Sequence, residues 1–351
     1  MTTSVVLTEA ALRDFTERIL EAAGVPPDRV RKVAAPMVAA NLRGIDSHGV
    51  QLLPHYVDQL EAGDVDPRAE GQVVSESGAC LLYDSQYGLG AITSEICCGH
   101  AVRLAREHGL SMVVACEATH FGAAGFWAQK ISAAGLIGVA LCDASAAIPP
   151  WQGREGRLGT NPISMAVPHP GGRGWLLDMA TSTVSYGRLE KAMLEGRESV
   201  PAGWAMDREG RPTTDLATAL KGFLMPLGGY KGSGLGLMVE ILCGVLSGGA
   251  ISREIRGIRQ HGRHSRVNHT FLGIEVGRFL PLEEFYARME RLIAEVKSAA
   301  PAAGYAEVLV AGDPEWRAEE ERRRNGIPIP PGPWEELART AARLGVALPG
   351  C

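Results

Sequence analysis

Between residues 79 and 179 the chain carries short apolar runs whose spacing limits what it can fold into: Ala79–Tyr83, Leu110–Cys116, Leu136–Cys142, Ile163–Pro168 and Gly174–Met179. Helical patterns separate the first three, Ala91–His108 stopped by Gly109 and Gly122–Ala134 stopped by Gly135. A glycine after the last periodic residue can adopt the left-handed conformation that ends a helix. Alternation of strand and helix points to an α/β sheet. The last two runs follow without room for a crossover helix, so part of the sheet should be antiparallel. A further strand is expected over Phe271–Val276. The sheet is therefore read as mixed.

Helical patterns flank this region. Thr8 is placed as an N-cap before the apolar positions Leu12, Phe15, Ile19 and Leu20, with a stop at Gly24-Val25-Pro26-Pro27. Asp28 opens a second helix to about Leu42, kinked or interrupted near Pro36. A third helix is expected from Leu52 to Leu60. Residues 188–226 are polar and rich in Gly and Pro, as in a small flap. An apolar helix is expected over Gly234–Leu246. An amphipathic one follows over Leu282–Ser298, with Phe285, Met289, Leu292, Ile293 and Val296 on one side. The charged segment Glu315–Arg324 reads as a helix with a solvated face, followed by a rigid stretch, Ile327–Pro333.

Composition removes several classes of function. The 351 residues carry 35 basic and 40 acidic side chains, a net charge of −5, with no concentrated basic face for nucleic acid or a membrane surface. Seven cysteines are scattered singly apart from Cys97-Cys98, without CxxC or zinc spacing. Reduced thiols in a cytoplasmic enzyme with no metal site are expected. The start lacks the basic and apolar regions of a secretory signal. The nearly apolar run Gly234–Ile251 contains Glu240 and Ser247 and suits a core helix better than a membrane span.

Four clusters could carry chemistry. In Asp46-Ser47-His48-Gly49 a histidine beside a hydroxyl and a carboxylate could exchange a proton, or the group could be a turn that caps the next helix. Thr119-His120-Phe121-Gly122 lies between a strand and a helix N-terminus, where backbone N–H groups attract anions; a plain strand–helix turn is the alternative. Gly228-Gly229-Tyr230-Lys231-Gly232-Ser233-Gly234-Leu235-Gly236 could hold a phosphate, with Lys231 as its point charge, or serve close packing. It matches neither the P-loop order nor the dinucleotide-binding glycine pattern. Gly159-Thr160-Asn161-Pro162 and Leu177-Asp178-Met179-Ala180-Thr181-Ser182 set small polar groups beside short strands, and a structural turn is the default reading.

In this order, with Ala124-Gly125, Leu246-Ser247-Gly248 and Gly326-Ile327-Pro328, these clusters resemble the type-2 malate/L-lactate dehydrogenase family over nearly the whole chain. The resemblance implies reduction of a C=O or C=N group in 2-oxo acids or cyclic imino acids by NAD or NADP chemistry. It implies a non-Rossmann α/β fold of the α+β type, a mainly antiparallel or mixed sheet wrapped by helices, and a homodimer. Residues 1–70 with 280–351 would form a helical domain drawn from both termini. Residues 71–187 with 227–279 would form the cofactor-binding sheet domain, and 188–226 the flap.

Carried over position by position, the resemblance makes His48 the proton donor or acceptor, with Ser47 and Tyr56 beside it. His120, Phe121, Gly122, Ala123 and Ala124 would line the cofactor, as would Asp178, Met179, Ala180, Tyr230 and Lys231. Gly312, Asp313, Pro314 and Glu315 would form a late cofactor loop. Thr160 would touch substrate, with Leu52, Tyr186 and Gly187 on the substrate side. Two departures stand out. Leu52 replaces the arginine that the family sets against the substrate carboxylate, and a leucine cannot make that bidentate contact. Arg188 and Tyr186 replace an acidic residue or lysine and an arginine, respectively. Either the substrate departs from the usual small 2-oxo acids, or its acid group is held from another direction, with Arg188 a candidate. A non-redox nucleotide- or phosphate-binding paralogue is the alternative reading.

Overall fold

The computed structural model describes residues 4–194 and 196–350. Strand β1 (Val5–Leu7) leads into α1 (Glu9–Ala22), whose first turn is capped by Thr8 Oγ1 accepting from the Ala11 N–H at 3.1 Å. Helix α2 (Pro27–Leu42) carries Pro36 within it. A 3₁₀ turn, Asp46–His48, then joins a second one, Val50–Leu52, to α3 (Leu53–Glu61). The expected apolar positions of α1 are all buried.

The sheet strands follow: β2 (Gln72–Ser77), β3 (Cys80–Asp84), α4 (Gly90–His108), β4 (Leu110–Ala118), α5 (Ala124–Ser132), β5 (Leu136–Cys142), β6 (Ile163–Ala166) and β7 (Leu176–Met179). Next comes the small excursion: α6 (Tyr186–Leu194), β8 (Ala205–Met206), β9 (Pro212–Thr213), α7 (Leu216–Lys221) and β10 (Phe223–Leu224). The chain closes with α8 (Tyr230–Glu240), β11 (Val267–Glu275), α9 (Leu282–Lys297), α10 (Asp313–Asn325), β12 (Ile327–Ile329) and α11 (Pro331–Arg343).

Seven strands make one mixed sheet in the order β2-β3-β4-β11-β5-β6-β7. Only β3 and β4 pair in parallel, with α4 as the crossover that a parallel pair requires. Strands β4 and β5 also run the same way, yet they do not pair, because β11 lies between them antiparallel to both. The strand–helix–strand alternation is therefore real, while the sheet it builds is mostly antiparallel. Strands β6 and β7 pair antiparallel, in keeping with the expectation that part of the sheet is antiparallel. Trp127, Phe121, Phe271 and Phe15 fill the main core beneath this sheet and the N-terminal helices.

Some expectations need correction. The apolar helix begins at Tyr230 rather than Gly234, and its end widens into a π-helical turn over Ile241–Val245. Lys231 therefore sits in the first helical turn, not in a loop before it. The charged helix α10 is more than a solvated face. Its Glu319 is buried and pairs with Arg43 of α2, while Arg322 and Arg323 reach Asp46 and Glu9. The stretch after it is not merely rigid, because β12 pairs with β1 and brings the chain's two end regions together. Helix α9 is amphipathic as expected, but none of its residues is buried within this chain. Among the described residues the six cysteines are free, Cys351 lying outside them, and no helix is long and apolar enough to cross a membrane.

Candidate active site

The loop bearing His48 is held from behind. Asn41, at the end of α2, donates through Nδ2 to Asp46 Oδ1 at 2.8 Å and accepts from the Val50 N–H at 2.8 Å. Arg322 grips both oxygens of Asp46, at 2.6 and 3.0 Å, and also donates to the Asn41 carbonyl. Gly49 is required here by space, since a Cβ would lie 2.2 Å from Asn41 Oδ1. The Asp46 carboxylate is thus committed to Arg322 and Asn41, and the neighbour of the imidazole is Ser47, whose Oγ lies 3.0 Å from His48 Nδ1. Asp46→Ala strands a mostly buried guanidinium and an amide, so stability should fall by about 2 kcal/mol, less than a fully buried pair costs. Urea unfolding of the variant beside Asp46→Asn, which should recover part of the loss, measures it.

His120 faces His48 with ring centroids 5.8 Å apart and planes 22° from parallel. The Gly122 N–H donates to His120 Nδ1 at 3.2 Å, Gly122 turning back with φ +85°. That nitrogen is therefore an acceptor, and the proton of the neutral ring is on Nε2. The Tyr56 hydroxyl, on α3, lies 2.8 Å from the same nitrogen and 3.1 Å from the His120 carbonyl. Burial lowers the pKa of His48, and burial, with His48 and His269 close by, takes His120 down to about 3. Burial also raises the phenol pKa of Tyr56, which stays protonated. Phe121 is buried and stacks on His269 of β11 at 4.4 Å. Neither nitrogen of His269 has a partner in hydrogen-bonding geometry, the Thr119 carbonyl lying only near it, and burial takes its pKa to about 3.

A narrow cleft adjoins this loop, lined by Ala40, Arg43, Ala123, Gly125, Asp178 and Glu315, among others. Asp178, at the end of β7, accepts from the Gly125 N–H at 2.8 Å, at the N-terminus of α5. Burial raises its pKa to about 6 against the pull of that N–H and of Arg43, and the Glu315 charge adds to the rise. The late loop divides. Glu315 faces this cleft, while Asp313 binds Lys297 at 2.7 Å and accepts from the Val310 N–H at 3.0 Å, lining a separate cavity with Tyr286, Met289 and Trp316. Gly312 turns there at φ +99°; Pro314 is within the first turn of α10.

The glycine-rich helix start is tied to the strand that carries Asp178. The Leu227 N–H donates to the Thr181 carbonyl at 2.9 Å, and a Cβ on Gly232 would strike both groups. Tyr230 and Lys231 are exposed at the mouth of α8, Tyr230 edge-on to Trp151. Met179 and Ala180 are half-buried at the end of β7. The Thr160 carbonyl accepts from the Thr181 N–H at 2.8 Å. Its neighbour Asn161, at φ 36°, is a structural post that donates to the Gly236 carbonyl and to Glu240.

Gly187 lies against the Ser47–His48 loop: a Cβ there would sit 3.0 Å from Ser47 Cβ. Arg188 is exposed next to it, with no hydrogen bond or ion pair to its guanidinium among the described residues. Tyr186 is exposed and donates to the Leu220 carbonyl at 3.3 Å. Leu52, at 6% exposure, belongs to the main core rather than to an open pocket wall. Asn41, Arg43, Arg322 and His269 escaped the sequence reading. His269 lies among polar neighbours, Asn268 and Thr270, just before the expected strand Phe271–Val276, so no local signal marked it; the others serve the site across hundreds of residues or from a helix end.

A family model described as malate/L-lactate dehydrogenase matches residues 7–338. The chain is 37% identical over 343 residues to a malate dehydrogenase of Pyrococcus horikoshii, covering 95% of this chain and 94% of that protein. It is 32% identical to an L-sulfolactate dehydrogenase of Methanocaldococcus jannaschii, over 94% of each. Among solved structures, a Δ1-piperideine-2-carboxylate reductase from Pseudomonas syringae superposes with a TM-score of 0.84 at 27% identity, over 96% of this chain and 100% of the other. With this architecture and these relatives, the protein is an enzyme, an oxidoreductase of the dehydrogenase class that acts on CH–OH groups. It belongs to the malate/L-lactate dehydrogenase family.

Proposed function

We propose that the enzyme uses NADH or NADPH to reduce the C=O of a 2-oxo acid or the C=N of a cyclic imino acid, with His48 exchanging the proton. The observation that carries this reading is the His48 imidazole, its pKa lowered by burial, with Ser47 on Nδ1 and His120 stacked beside it. The relatives named for malate and sulfolactate support a hydroxy-acid product, and the neighbour named for piperideine carboxylate supports an imine.

The donor set fits a nicotinamide dinucleotide. Strand β7 is a sheet edge, so main-chain donors and acceptors on its outer side, near Met179 and Ala180, are available to a planar carboxamide. Lys231 in the first turn of α8 supplies a cation at a helix N-terminus, which suits a diphosphate. His120 to Ala124, Asp178 and Glu315 would line the remainder. When bound, the nicotinamide supplies the hydride. As charge builds on the substrate oxygen or nitrogen, protonated His48 delivers its proton there, and Ser47 holds the ring so that Nε2 is the exchanging atom. Tyr56 fixes His120 through Nδ1, and the surrounding core excludes water.

Arg188 takes the substrate carboxylate in this reading. Leu52 is buried and apolar, whereas Gly187, the residue before Arg188, packs against Ser47. The outer face of α8 and its π turn exposes Tyr230, Leu237, Met238, Ile241, Val245 and Leu246, an apolar patch that we assign to a second copy in a homodimer. The free cysteines suit the cytoplasm. Titration with NADH and NADPH, followed by nicotinamide fluorescence, tests the cofactor assignment. Saturable binding of one of them, weakened at least about tenfold in His120→Ala by the loss of a ~1.4 kcal/mol contact, is expected. No binding of either cofactor would refute it.

A further inference from the structure

At helix α3, three metal-binding side chains converge. His55 and Asp58 are three residues apart and share one face of α3, and His261 comes from the loop before β11. One ligand atom from each lies within 4.8 Å of the other two. We propose that His55, Asp58 and His261 form a binding site for a borderline divalent cation of the zinc or nickel type, stapling α3 to the 257–265 loop.

Two further observations support it. His55 Nδ1 is shut away from solvent without a hydrogen-bond partner, an unusual state for a ring nitrogen in a folded protein. The loop that presents His261 is also pinned at the next residues. The Gly262 N–H donates to Asp64 Oδ2 at 2.8 Å, His264 Nδ1 lies 2.8 Å from the Asp64 carbonyl, and Gln59 of α3 donates to Ser265 Oγ at 3.0 Å. His264 stacks on Tyr87 with centroids 3.8 Å apart. His261 is therefore delivered to α3 by a braced segment. Asp58 gives only Oδ1 to Arg343, at 2.7 Å, which leaves Oδ2 for a cation. Of the nearby arginines, Arg343 is shared with Glu61 and Arg259 is held by both oxygens of Glu190. Two imidazoles and one carboxylate oxygen select Zn²⁺ or Ni²⁺ over Ca²⁺ and Mg²⁺, which prefer all-oxygen sites; water would complete the coordination.

The test is a titration of the full-length, tag-free and chelator-stripped protein with Zn²⁺ against a chromophoric chelator, alongside thermal unfolding. The wild type should bind one equivalent and melt at a higher temperature when loaded. His261→Ala, an exposed position that leaves the core intact, should weaken binding by more than the ~100-fold at which outer-shell losses reach their limit. His169→Ala, which removes a histidine elsewhere, should bind as the wild type does. Substitution with Co²⁺ should give the absorption of a nitrogen- and oxygen-ligated ion in the wild type and lose it in His261→Ala. Unchanged zinc binding in both His261→Ala and His55→Gln, or binding in the wild type that Mg²⁺ displaces at equal concentration, would overturn the proposal.

Discussion

His48→Asn should lower kcat/KM for reduction by ~10²–10⁴-fold, the usual contribution of a positioned proton donor, while leaving cofactor affinity close to that of the wild type. The asparagine can keep the Ser47 contact and fill much the same space, so a loss of this size would report proton delivery rather than collapse of the loop. The pH profiles supply the second half of the test. Burial lowers the pKa of His48 below its ordinary value of 6.5. Reduction needs the protonated ring, so its kcat/KM should fall as pH rises through that lowered pKa. Oxidation needs the neutral ring as acceptor, so its kcat/KM should stay flat at neutral pH and fall only on the acid side. Both limbs should be absent from His48→Asn. A variant that kept either limb would move the proton exchange to another group.

The second large effect is acid lability. His120 and His269 have folded-state pKa values of about 3, against an ordinary value of 6.5, and burial is the main cause in both. A depressed histidine pKa means that the unfolded chain binds the proton first. The associated stability is fully present above about pH 6.5 and is lost as pH falls toward 3. Around pH 5 the unfolded state holds two more protons at these sites than the native state, so unfolding free energy should drop by about 2.7 kcal/mol per pH unit. His48, whose pKa is lowered as well, adds in the same direction. His269→Phe keeps the stacking on Phe121 and removes one titration, so its slope between pH 6 and 4 should be shallower by about 1.4 kcal/mol per pH unit. Urea midpoints across that range give the slopes, and equal slopes in the two proteins would contradict the account.

Much of this was legible in the sequence where the signal is local. The Thr8 cap, the two crossover helices and their glycine stops, and the antiparallel β6–β7 pair all follow from residues a few positions apart. The four chemical clusters were legible as segments. Their convergence was visible only through the family resemblance, because His48 and His120 stack from positions about seventy residues apart and Asp178 accepts from Gly125 across another 53. What stayed hidden is long-range pairing. Strand β11 enters the middle of the sheet from a position far downstream of both neighbours, and nothing in its own residues names them. Helix α10 looked solvated because its charges are dense, yet Arg322 and Glu319 find partners at the C-terminal end of α2 and in the loop that carries His48. Similarity of type also concealed the division within Gly312–Glu315, where acidic residues two positions apart face different cavities.

The central claim is hydride transfer from a nicotinamide to an sp² carbon, with the proton exchanged at His48. The most direct measurement supplies reduced cofactor deuterated at the transferable C4 position with a panel of 2-oxo acids and cyclic imino acids, and examines the products by mass spectrometry and NMR. The account predicts one deuterium on the former carbonyl or imine carbon, none there when the label is in the solvent, and little product from His48→Asn. A product carbon that carries solvent hydrogen, or full turnover without His48, would contradict it.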